Sequence, residues 1–149
     1  MKSQNIVRVI LADDHELVRR GIRRMLEKSS NICVIGEASN GTDALRLVQE
    51  LKPDILLLDM EMPDIKGIHV ARELRRKHVP VSIIVLSGCD DDHLIDEILQ
   101  AGVDGYLSKS EPAAKIRETI YQVSEKHFVA FASLLIFLSS MGVGFLSGT

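Results

Sequence analysis

Residues Asp54 to Asp64 read DILLLDMEMPD. Four consecutive aliphatic residues, Ile55 to Leu58, carry the chain straight to an acid, Asp59. A short apolar run of this kind, without alternation, fits a strand covered on both faces, as in the parallel sheet of an α/β fold. A strand of that type ending on a carboxylate places a charge where the sheet stops. Met60 to Asp64 then turn the chain away.

The same pattern recurs on both sides of this stretch. Ile6 to Ala12 (IVRVILA), Ile32 to Ala38 (ICVIGEA), Val81 to Ser87 (VSIIVLS) and Gly105 to Lys109 read as strands, and Ile55 to Met60 as the third of five. Between them lie stretches with helical period. His15 to Lys28 sets Leu17, Val18, Ile22, Met25 and Leu26 on one face and Arg19, Arg20, Arg23 and Arg24 on the other. Thr42 to Leu51, Gly67 to Lys77, Asp91 to Ala101 and Pro112 to Lys126 complete five helices, with Pro112 near a first turn where its missing N–H costs nothing. The alternation predicts an α/β fold, a (βα)5 flavodoxin-like, doubly wound parallel sheet of order 2-1-3-4-5.

Composition agrees with such a domain. The chain has 149 residues, 46% hydrophobic and 26% charged, enough apolar material for one core. A net charge of −3 gives no general affinity for nucleic acid, and the Arg19, Arg20, Arg23, Arg24 cluster reads as a solvated or partner-docking face. No signal peptide is expected at the polar start, Met1 to Asn5. Cys33 and Cys89 form no metal or redox motif, and a reduced, cytoplasmic setting is the simplest reading.

In an open sheet of this order ligands bind beyond the carboxyl ends of the strands, beside strands 1 and 3. Asp13 and Asp14 follow strand 1, Asp59 ends strand 3, Ser87 ends strand 4 and Lys109 ends strand 5. Singly, each has a plainer reading: an Asp pair caps a helix, a loop Lys is solvated, a Ser after a strand sits in a turn. Together on one rim they form three mutually repelling carboxylates that call for a hard divalent ion, Mg²⁺ above all. With a Lys and a hydroxyl beside them, they make a device for holding a phosphoryl group.

At this point the chain resembles the response-regulator receiver domain of two-component systems, the CheY-like fold. VILADDHELVRRGIRRMLE is similar to the start of the NarL/FixJ (LuxR-type) regulators. DILLLDMEMPDIKGI, IIVLSG and GYLSKSE match the later receiver motifs, and the resemblance covers residues 6 to about 126. It implies that Asp59 is the phosphoacceptor. Asp13 and Asp14 would help hold Mg²⁺ with Asp59, and the backbone carbonyl of Glu61 would add a ligand. Ser87 would be the switch hydroxyl, Lys109 would contact the phosphoryl oxygens, and Tyr106 would be the aromatic that changes rotamer. The donor would be a sensor histidine kinase, with slow autodephosphorylation, a face of the fourth strand, fourth helix and fifth strand that switches to signal, and a possible phosphorylation-dependent homodimer. Two alternatives stand beside this. One is the receiver portion of a DNA-binding transcriptional regulator whose helix-turn-helix is missing from this chain. The other is a metal-dependent phosphatase of haloacid-dehalogenase type, which would need a second Asp where Glu61 stands.

Two departures follow. The family's Lys is often followed by a cis Pro; here Ser110 follows, and a cis Lys109–Ser110 bond would cost about 3 kcal/mol, so either a trans bond or a cis bond maintained by the phosphosite is expected. Second, the receiver would occupy residues 1–126, leaving an uncharged apolar tail at 127–149. Residues 128–147 are about long enough to cross a bilayer and would tether the protein to the inner face of the membrane. The tail could equally be the remnant of a lost output domain, or a dimer element.

Overall fold

The computed structural model describes residues 5–88, 92–125 and 129–130. Strands β1 (Val7–Ala12), β2 (Ile32–Ala38), β3 (Ile55–Asp59), β4 (Ser82–Ser87) and β5 (Gly105–Ser108) alternate with helices α1 (Glu16–Glu27), α2 (Gly41–Leu51), α3 (Gly67–Arg76), α4 (Asp92–Gln100) and α5 (Ala113–Ser124). All strand pairs are parallel, and the order 2-1-3-4-5 is the expected one. Element boundaries fall within a residue or two of those read from the sequence.

The apolar strands bury both faces, and the pleat divides them. Ile10, Leu56, Leu58, Ile83 and Val85 face one core with residues of α2, α3 and α4, among them Val48, Leu74 and Ile98. Val9, Leu11, Ile55, Leu57, Ile84 and Leu86 face the other core with Leu26 of α1 and Ile116, Ile120 and Val123 of α5. Every residue of β3 is buried, which is why its sequence shows no alternation.

Two expectations need correction. A sixth strand, β6 (Val129–Ala130), pairs parallel with Gly105 and Tyr106 at the β5 edge, so the sheet has one strand more than the five read from the sequence. Two residues are too few to show any period. Leu17 and Val18 do not join the buried stripe of α1: Leu17 is 82% exposed, because the first turn of α1 stands at the rim just beyond the end of β1. On the arginine face of α1, Arg19, Arg20 and Arg23 are ion-paired. Arg19 and Arg23 both pair with Glu37 at the end of β2, Arg23 also with Glu27, and Arg20 with Glu16. The Lys109–Ser110 bond is trans. Among the described residues no helix is long and apolar enough to cross a membrane. Cys89 and the tail from residue 131 lie outside the described residues.

Candidate functional site

Register brings the rim residues together. Asp59 pairs with Leu86, one residue short of Ser87, and Ser87 pairs with Ser108, one short of Lys109. The backbone N–H of Lys109 donates to the Ser87 carbonyl at 2.8 Å, tying the ends of β4 and β5. Asp13 leaves β1 with its N–H on the Ala38 carbonyl of β2. These are the strand ends on either side of the point where the sheet order reverses.

Asp59 is 1% exposed and Asp13 is 2% exposed. The Lys109 ammonium lies 3.1 Å from Asp59 Oδ1 and 3.1 Å from Asp13 Oδ2, so one cation serves two buried carboxylates. The Glu61 N–H donates to Asp59 Oδ1 at 3.1 Å. Burial and the neighbouring Asp13 charge push the Asp59 carboxyl above its ordinary value, against the pull of Glu61 N–H and Lys109. For Lys109, burial disfavours the charge, but its hydrogen bond and attraction to Asp59, with those to Asp13, outweigh it and raise its pKa.

The site is short of positive charge. Asp59 Oδ2 is buried with no hydrogen-bond partner, and Asp13 Oδ2 meets Lys109 without hydrogen-bond geometry. Asp14 is partly exposed at the mouth. One ligand atom each from Asp13, Asp14, His15 and Asp59 comes within 4.8 Å of the others. The orphaned carboxylate oxygens of this acidic pocket fit a hard divalent cation, and Mg²⁺ suits the carboxylate donors. Ser87 is buried at the same rim, and Tyr106 is buried within β5.

Sequence reasoning missed three contributors. Asp64, in the loop after β3, accepts hydrogen bonds from the N–H groups of Gly41 and Thr42 at the start of α2, from the Thr42 hydroxyl at 2.6 Å, and from Ile65 N–H. The Thr42 hydroxyl leads the interactions that hold this carboxyl well below the usual carboxylate range. Asp64 thus pins the loop after Asp59 to a helix N-terminus. Arg19 donates from Nη1 to the Asp13 carbonyl at 2.7 Å and from Nε to Glu37 at 2.9 Å, bracing the acidic turn from behind. Gly67 opens α3 with its Cα against the phosphoacceptor candidate: a Cβ there would stand 2.3 Å from the Asp59 carbonyl oxygen. The only sequence signals for these were the MPD–Gly67 turn and the arginines of α1.

Comparison with known proteins agrees with this geometry. The response regulator UvrY of Escherichia coli is 40% identical over 126 residues, covering 84% of this chain and 58% of UvrY. The response regulator GacA of Pseudomonas aeruginosa is 38% identical over 118 residues, covering 79% of this chain and 55% of GacA. The chain therefore spans about half the length of the curated relatives it matches. Among solved structures, the signal receiver domain of the response regulator NarL from Mycobacterium tuberculosis superposes with a TM-score of 0.79 at 34% identity, covering 81% of this chain and 98% of that one. The family model described as the response regulator receiver domain matches residues 9–121, across the whole βα array from β1 into α5. With its strand order, its acidic rim and these matches, the chain belongs to the response regulator receiver domain family.

Proposed function

We propose that this chain is a phosphoacceptor switch in which Asp59 takes a phosphoryl group from a sensor histidine kinase. The observation that carries the reading is Asp59 itself: a buried carboxylate with one orphaned oxygen, held by the Glu61 N–H and the Lys109 ammonium. Asp13, Asp14, Asp59 and the Glu61 carbonyl would hold Mg²⁺, which when bound neutralises phosphoryl charge. An Asp59 carboxylate oxygen attacks phosphorus, and the bond to the donor's imidazole nitrogen breaks in line with it, so the imidazole leaves. Lys109 already lies within 3.1 Å of Asp59 Oδ1 and follows the new oxygens as an ion-pair partner. Glu61 N–H keeps the carboxylate aimed, and the surrounding core excludes water from its inner side.

Ser87 and Tyr106 are the residues through which the new charge would reach α4 and the β5 edge, a two-state response. The receiver would be residues 1–126 and the tail 127–149 an appendage. Because Val129 and Ala130 lie in the sheet, a membrane tether would have to begin at Phe131, at the short end of what crosses a bilayer. Intact-mass measurement after incubation with acetyl phosphate tests the central claim. One phosphoryl group is expected, dependent on Mg²⁺ and lost in Asp59→Asn; transfer to a Ser or His instead refutes it.

A second reading takes the chain as the regulatory half of a DNA-binding regulator, as its share of the length of its relatives suggests. Arg19, Arg20 and Arg23 of α1 are each paired with a glutamate. On either reading these residues by themselves are expected to show no salt-sensitive duplex binding, and micromolar specific binding to a promoter fragment at physiological salt would overturn that expectation.

A further inference from the structure

His15 is the residue of the rim that the phosphoacceptor reading leaves without a task, and its proposed role rests on that reading of the pocket. His15 directly precedes α1 as its N-cap residue, in extended backbone conformation, and its side chain makes no capping hydrogen bond. Its backbone N–H donates to Asp13 Oδ1 at 2.8 Å, which fixes the ring's root beside the acids. The ring turns inward: Nδ1 lies 3.1 Å from Asp14 Oδ1 and 3.3 Å from Asp13 Oδ1. The side chain is 63% exposed, so its position is set by these two carboxylates rather than by packing.

Two further observations point to a ligand. One atom each from Asp13, Asp14, His15 and Asp59 falls within 4.8 Å of the rest, close to the spread of donors around a single ion. The buried oxygens Asp13 Oδ2 and Asp59 Oδ2 both lack hydrogen-bond partners. Three carboxylates alone make a pocket for a hard ion. An imidazole nitrogen changes the preference, because nitrogen donors favour Ni²⁺, Cu²⁺ and Zn²⁺ over Mg²⁺.

We propose that His15 Nδ1 is a metal ligand of this pocket for first-row transition ions, beside the carboxylates of Asp13, Asp14 and Asp59. Mg²⁺ uses oxygen donors and water and leaves the imidazole out. Ni²⁺ and Zn²⁺ recruit it, and so compete with Mg²⁺ for the same acids more strongly than an all-carboxylate rim would allow. The chemical class of the ligand is thus a borderline divalent cation, and His15 is the residue that sets selectivity.

The test is calorimetric titration of the full chain with NiCl₂ and, separately, MgCl₂ at one fixed pH, for wild type, His15→Ala and Asp14→Asn. His15→Ala is expected to weaken Ni²⁺ binding by about tenfold or more, the scale on which residues around a metal act. Its Mg²⁺ affinity should stay within about twofold of wild type, because Mg²⁺ takes oxygen donors. Asp14→Asn should remove the tight Ni²⁺ phase, which places the ion in the pocket rather than on surface histidines. Bound Ni²⁺ should also raise the melting temperature of wild type more than that of His15→Ala. Three results overturn the proposal: unchanged Ni²⁺ affinity in His15→Ala, a tight Ni²⁺ phase that survives Asp14→Asn, or equal losses for Ni²⁺ and Mg²⁺. Equal losses would mean that His15 only orients the acids. Phosphorylation of the same samples separates this from the parent reading. If wild type gains a phosphoryl group with Mg²⁺ while Ni²⁺ ignores His15, only the present proposal falls; if it neither binds Mg²⁺ nor takes phosphoryl, the phosphoacceptor reading falls too.

Discussion

Gly67→Ala sets two physical effects of opposite sign against each other at the residue that abuts Asp59. Gly67 is the first residue of α3, and its φ is not in the left-handed region, so alanine meets no backbone barrier. Helix propensity alone favours Ala over Gly by as much as ~1 kcal/mol. The space available says the reverse. A Cβ at 67 would stand 2.3 Å from the Asp59 carbonyl oxygen, 3.0 Å from its carbonyl carbon and 3.0 Å from Met60 Cα, whereas ordinary contact begins near 3.4 Å. All three neighbours are backbone, so no flexible side chain can swing clear. Either α3 lifts away from β3 or the Asp59 peptide moves, by roughly 1 Å; overpacking of this kind costs about 1–3 kcal/mol. The same residue makes the N–H bond to the Met60 carbonyl at 3.1 Å, which the shift would stretch.

The displaced peptide belongs to the proposed nucleophile, and a misplacement of about 1 Å costs on the order of 100-fold in rate. Urea unfolding should therefore show Gly67→Ala less stable than wild type, by up to about 2 kcal/mol after the propensity gain is subtracted. Phosphorylation by acetyl phosphate should slow by one to two orders of magnitude, as expected for a lost alignment. Gly21 supplies the control. It lies in α1 with nothing within 4 Å of a built Cβ, so Gly21→Ala should stabilise by about 0.5–1 kcal/mol. If Gly67→Ala matches wild type in both stability and phosphorylation rate, the packing of α3 against Asp59 does not position the site.

Other outcomes follow from the site's charges. Burial raises the Asp59 pKa above 3.8, so without Mg²⁺ its ionisation opposes folding; Asp59→Asn should be the more stable protein at pH 7, with the gap closing as pH falls through the folded pKa to below 3.8. A pH-independent gap in chemical denaturation, or a less stable Asp59→Asn at pH 7, would contradict this. Arg19→Ala removes the bonds to the Asp13 carbonyl and Glu37 and should cost about 1–3 kcal/mol, whereas Arg20→Ala, with an exposed pair to Glu16, should cost under ~0.5 kcal/mol; equal thermal shifts would count against the brace. Asp64→Ala strips acceptors from Gly41 and Thr42 N–H, so amide exchange should quicken in the first turn of α2 before that of α3, and uniform protection would refute the cap.

The strand ends were legible because parallel strands buried on both faces leave an unmistakable trace. DILLLD could only be central, and once it was, the topology sent Asp13, Asp14, Asp59, Ser87 and Lys109 to one rim. What stayed hidden depends on contacts between elements. Helical period put Arg19 and Arg23 opposite the apolar stripe, but it cannot say that Glu37, at the end of β2, reaches across to both. Asp64 read as a turn residue, since nothing local shows that the N-terminus of α2 lies over that turn. Leu17 fitted the stripe by spacing and is exposed by position, because a period carries no information about where the sheet beneath a helix ends.

These hidden contacts share a direction. Arg19 holds the backbone behind Asp13, Asp64 holds the loop after Asp59, and Gly67 lets α3 close against the Asp59 peptide. None of them neutralises the acidic cluster; each fixes the backbone that carries it. The cluster itself is left electrostatically poor, with a raised Asp59 pKa, two orphaned oxygens and one ammonium divided between two carboxylates. A site that repels its own charges stays assembled only if the scaffold cannot relax, and close-packed strands flanked by helices on both faces supply that rigidity. The same unrelieved charge is what a divalent cation would satisfy. The pocket is therefore stable as a protein and unsatisfied as a site, and the two properties trace to different residues: the aliphatic run of Ile55 to Leu58 for the first, and the acids at the strand ends for the second.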